Sequence, residues 1–93
     1  MEGKASVLRI DKVYENLSTV KLKLEGRLVG EWVSLLEEKI LACLANNKKV
    51  LLDFSELRFV DEHGMKMLRR MPSEKIEITN SPRFIEELLK GIQ

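Results

Sequence analysis

Residues 50–68 read VLLDFSELRFVDEHGMKML, and the fold turns on how that stretch divides. With the lysines before it, KKVLLDF (48–54) is a short apolar run without alternation, the pattern of a strand covered on both faces at the centre of a sheet. SELRFV (55–60) leads out of it. Asp61 then suits a helix N-cap, and Glu62 suits the positive end of a helix. A short helix is expected over 62–71, stopped by Pro72, because proline disfavours helical geometry at the residue before it.

Working back from that unit, residues 31–46 place Trp32, Val33, Leu35, Leu36, Ile40, Cys43 and Leu44 at spacings of three and four, an amphipathic helix closed by Asn46 and Asn47. Before it, Gly26 and Gly30 in GRLVG break a strand period. TVKLKLE (19–25) alternates, with Val20, Leu22 and Leu24 inward, and VLRIDKVY (7–14) puts Leu8, Ile10 and Tyr14 on one parity. ENLS joins the two at hairpin length.

Working forward, KIEIT (75–79) is a last strand near an edge. Ser81 is expected to cap a final helix with Pro82 at its first position, and Phe84, Ile85, Leu88, Leu89 and Ile92 to form its buried stripe, with Gly91 near the end. The order β-β-α-β-α-β-α implies an α/β fold: a four-stranded mixed sheet with three helices, its parallel strands joined by right-handed crossovers.

Composition bounds the function. With 93 residues, a single domain over 1–93 is expected, and 44% apolar residues are enough for one core. Sixteen basic and fifteen acidic residues leave no overall field to attract nucleic acid or an anionic membrane. There is no signal-peptide pattern and no run of 18 apolar residues, so a cytoplasmic protein without membrane insertion is expected. The lone Cys43 cannot form an internal disulfide.

Asp61, Glu62 and His63 are the residues most capable of chemistry. Adjacent side chains on a first helical turn diverge, however, whereas one metal ion needs three or four convergent ligands. His63 is the only histidine, and no HExxH, CxxC, GxSxG or GxxxxGK[ST] pattern occurs. Neither catalysis nor a metal or other cofactor is expected. Gly64 would permit close backbone approach at the helix start.

Three further features each have two readings. Trp32 either packs in the core or anchors a partner. Met65, Met67 and Met71 cannot share one helix face, so at least one is expected to be exposed, where methionine suits an adaptable contact. Lys66, Arg69 and Arg70 are either a solvated helix end or a face for an acidic partner or a nucleotide phosphate.

VKLKLEGRL, the amphipathic helix and VLLDFSELRFVDEHGMKML together resemble the STAS domain, the module of anti-sigma factor antagonists and of the cytoplasmic tails of sulphate transporters. Asp53, Phe54, Ser55, Leu57, Phe59, Val60, Asp61 and Gly64 match the family's most specific segment in order and spacing, over a resemblance spanning roughly 6–92. It implies a STAS-like fold and a non-catalytic bacterial signalling module that binds partners through Asp61, Glu62, His63, Gly64 and Met65.

One departure from the family falls at the centre of that segment. The family's phosphorylated serine or threonine lies immediately before the glycine, where this chain has His63, with Glu62 preceding it. Phosphate there would add about −1.5 to −2 charges at the helix start. The resemblance therefore implies a docking surface without its switch, either constitutively competent or, through Glu62, partly imitating the phosphorylated state. The implied partner is an anti-sigma factor of serine-kinase type. The alternative is a transporter ATPase, since single-domain STAS proteins also resemble accessory subunits of lipid ABC transporters.

Overall fold

The computed structural model describes residues 7–90. Its elements are β1 (Leu8–Glu15), β2 (Thr19–Leu28), α1 (Glu31–Ala45), β3 (Lys49–Val60), α2 (Glu62–Arg70), β4 (Ile76–Thr79) and α3 (Arg83–Lys90), in the order expected. They build one four-stranded sheet in the order β1-β2-β3-β4. β1 and β2 form an antiparallel hairpin whose turn is held by Asn16, its side-chain oxygen accepting the Ser18 and Thr19 backbone N–H groups at 2.9 and 2.7 Å. β3 runs parallel to β2 on one side and to β4 on the other, the connection that crossover helices require.

Two expectations about the strands need correction. β3 does not end at Phe54: it continues through SELRFV to Val60, with irregularities in its pairing to β2 that let one long strand follow the sheet's twist. β2 likewise runs through Gly26 to Leu28. Gly26 has φ 111°, and a β-carbon there would collide with the backbone carbonyl of Val7, so glycine lets β1 and β2 stay close where any other residue would push them apart.

The second correction concerns coverage. Val20, Leu22 and Leu24 of β2 and Val50, Leu52 and Phe54 of β3 point to one face, where they meet Val33, Leu36 and Ile40 of α1, Met67 and Leu68 of α2, and Ile85 of α3. On the other face, paired positions Lys21, Leu51 and Glu77 are exposed or half-buried. β3 is thus central in the sheet but covered on one side only. Three successive apolar residues can read as two-sided burial when one of them, Leu51, is merely half-covered. Each fully buried side chain contributes about 1.5–3 kcal/mol, so the helix-covered face is where the fold is held.

α3 also differs from expectation. Pro82, not Ser81, stands at the cap position: its carbonyl accepts the N–H groups of Ile85 and Glu86, while the Ser81 hydroxyl donates to that same carbonyl. Among the described side chains of the expected stripe, only Ile85 is buried. Phe84 and Leu88 are 40% and 44% exposed, and the Leu89 side chain, Gly91 and Ile92 lie outside the described residues.

Candidate functional site

The site is built where two loops meet at the ends of the parallel strands β2 and β3. Asp61 leaves β3 in an extended conformation and caps α2, its Oδ1 accepting the Gly64 N–H at 2.8 Å. Its other oxygen, Oδ2, accepts the Gly30 N–H at 3.0 Å, and its own N–H donates to the Leu28 carbonyl at 3.1 Å. One residue therefore satisfies the start of α2 and ties it to the loop that opens α1. The spacing of Gly30 and Asp61 in sequence gives no hint of this bond.

Electrostatics follow from those bonds. Burial alone would raise the Asp61 carboxyl, but the N–H groups of Gly30 and Gly64 outweigh it, with help from His63, and hold the group below the usual carboxylate range. Asp61 is thus a fixed negative charge at the helix start, where the helix dipole favours it.

Gly64 makes the junction possible. A β-carbon there would lie 2.7 Å from Val60 Cγ1 and 3.1 Å from the Leu28 carbonyl, so the first turn of α2 sits directly on the ends of β2 and β3. Beside it, Glu62 and His63 are exposed, and Lys66 reaches back to Glu62 at 3.8 Å. His63 also lines an open groove of about 350 Å³ between α1 and α2, shared with Gly30, Val33, Ser34, Glu37 and Arg70. Arg70 spans the two helices through a 2.9 Å bond to Glu37.

The five residues singled out in the sequence thus divide. Glu62 and His63 are accessible, Asp61 is half-buried and positions them, and Gly64 and Met65 are buried. Met65 is only 5% exposed and packs in the core, so the apolar contact expected of it is made inward. Met67 is fully buried and Met71 half-buried against the core, so none of the three methionines is freely exposed: α2 lies flat enough on the sheet to bury more than one stripe. Trp32 is half-buried against the same core. Ser34, Glu37 and the Gly30 N–H are site components that sequence reasoning missed.

Among the described residues no group of three or more histidine, cysteine, aspartate or glutamate side chains could hold a metal ion, and no helix is long and apolar enough to cross a membrane. What the site offers is a polar, sharply shaped junction carrying one histidine and paired charges.

Comparison with known proteins bears on fold and family. No curated protein matches this sequence. Among solved structures, the anti-sigma factor antagonist SpoIIAA in its unphosphorylated form superposes with a TM-score of 0.58 at 14% identity, covering 90% of this chain and all of its own. An uncharacterized protein with a SpoIIAA-like fold from Shewanella loihica PV-4 superposes with a TM-score of 0.59 at 15% identity, covering 98% of this chain and 80% of its own. At such identities the likeness is one of fold. The family model described as "Mlab, STAS domain" matches residues 12–92, nearly the whole described chain. The chain belongs to the STAS-domain family.

Proposed function

We propose that this protein is a non-catalytic, cytoplasmic protein-interaction module of bacterial signalling, of anti-sigma factor antagonist type, which docks through the start of α2 and the adjoining β2–α1 loop. The observation that carries this reading is the double use of Asp61: a carboxylate holding Gly30 and Gly64 together fixes the two loops in one geometry, with Glu62 and His63 projecting from it. Rigid presentation of a few polar groups limits the entropy lost on docking.

Positions 62–64 carry no hydroxyl group, so docking here is not governed by phosphorylation of serine or threonine at the family's position. That feature favours a second reading, a cytoplasmic accessory subunit of an ABC transporter, in which the partner is an ATPase and no phosphate switch is needed. Affinity capture from the native organism, with the bound proteins identified by mass spectrometry, separates the two. A serine-kinase-like anti-sigma factor supports the first reading, a transporter ATPase the second. Recovery of neither would remove both.

A further inference from the structure

The helices cover the sheet unevenly. α1 packs on β2 and β3 and leaves the helix-side surface of the edge strand β1 partly open. Two hollows lie along that flank of α1, one of about 280 Å³ beside Trp32 and Leu35, the other of about 310 Å³ between Ile10 of β1 and Lys39 and Cys43 of α1. Leu35 is 39% exposed, and Trp32, Ile10 and Cys43 are only half-buried. At 3.6 residues per turn this flank lies opposite the one that faces α2 through Ser34 and Glu37.

We propose that a second copy of this chain packs on this flank, α1 against α1 in antiparallel orientation, about a two-fold axis at Leu35. Charge order commits the face to that occupant. Glu31 and Lys39 stand four residues to either side of Leu35, both exposed, and neither has an ion-pair partner among the described residues. In an antiparallel helix pair, residues equally far before and after the central one face each other. Glu31 of each copy then meets Lys39 of the other, on either side of a Leu35–Leu35 contact.

A two-fold contact needs a surface complementary to itself, and this flank meets that need in antiparallel order alone. In parallel order Glu31 would face Glu31. Trp32 adds apolar area beside Leu35 within reach of the same contact, and opposed charges fix the register. The face is on the opposite flank of α1 from the groove that His63 lines, although Glu31 directly follows Gly30 of the Asp61 junction. Self-association is read on the purified chain with no partner present, so its outcome is independent of the docking reading.

Sedimentation equilibrium of the purified chain at low salt, from micromolar to millimolar concentration, tests it. The weight-average mass should climb toward twice that of one chain. Leu35→Asp should stay at one chain throughout while keeping the wild-type circular dichroism spectrum. Lys39→Glu alone should weaken association roughly tenfold, through two lost pairs and new repulsion, and the double exchange Glu31→Lys with Lys39→Glu should restore it. A wild-type chain that stays single at every concentration overturns the proposal. So does a dimer that survives Leu35→Asp, or a double exchange that associates no better than Lys39→Glu.

Discussion

Asp53 and Asp61 lie on and just beyond the same strand, and each accepts hydrogen bonds from two separate segments, yet they serve different ends. Asp53 is 9% exposed, and its Oδ1 takes the Ser55 N–H at 2.9 Å and the Asn80 side-chain amide at 3.2 Å, pinning the irregular middle of β3 to the end of β4. Around it are strands and a turn. Asp61 pins two loops instead, and beside it are an open groove, an exposed histidine and an exposed glutamate. The same carboxylate chemistry makes structure in one place and positions a candidate site in the other, and what distinguishes them is the accessible surface each one fixes.

The largest effect expected is at Gly64, which underlies the Asp61 junction. Gly64→Ala should cost about 1–3 kcal/mol by overpacking against Val60 and Leu28, and Gly64→Val more, read as a drop in the denaturation midpoint. Wild-type stability for Gly64→Val would mean that α2 does not sit on the strand ends as described. Next come the two aspartates. Asp53→Ala leaves donors unpaired and should cost about 1–3 kcal/mol without changing partner affinity. Asp61→Ala should cost about 0.5–2 kcal/mol as a lost cap and also weaken partner binding. Equal effects of both on binding would erase the distinction between the two regions.

Acid should act on both carboxylates in the same direction. Burial pushes Asp53 up, but the Ser55 and Asn80 bonds and Lys21 outweigh it, and Asp61 is likewise held below the ordinary 3.8. A folded value depressed below the unfolded one contributes stability that is complete above the unfolded value and is lost as pH falls through the folded one. Stability should therefore decline below about pH 4, and Asp61→Asn should flatten part of that decline. The smallest effect is at the far end of the hairpin, where hydrogen bonds from Lys12 and then Lys48 hold the exposed Glu15 carboxyl down to about 2. Its titration by NMR should move toward 4.5 in a Lys12→Ala, Lys48→Ala double variant.

Much of this architecture was legible in the sequence, because alternation in β2, helical periodicity in α1 and a capping aspartate before α2 are local signals. The element order, the edge position of β4 and the role of Asp61 as a cap all follow from them. What local signals do not carry is long-range contact. The extension of β3 through SELRFV depends on pairing with β2, the exposure of Phe84 and Leu88 depends on where α3 settles, and the burial of Met65 depends on how closely Gly64 lets α2 approach. The same limit applies to the candidate site. Glu62 and His63 stand out in the sequence, whereas Ser34 and Glu37 join them only through the packing of α1 on α2.

On the proposed reading, the Asp61 junction presents Glu62 and His63 to a partner. The most direct test is quantitative affinity capture from the native organism with three proteins side by side: wild type, a Glu62→Ala, His63→Ala double variant, and Asp53→Ala. Both side chains are exposed, so the double variant should fold with a stability within about 0.5 kcal/mol of wild type. A kinase-like or ATPase partner should be retained by wild type and Asp53→Ala and lost by the double variant. An identical catch from all three would contradict it and would leave DEHG as a capped helix start with the working surface elsewhere.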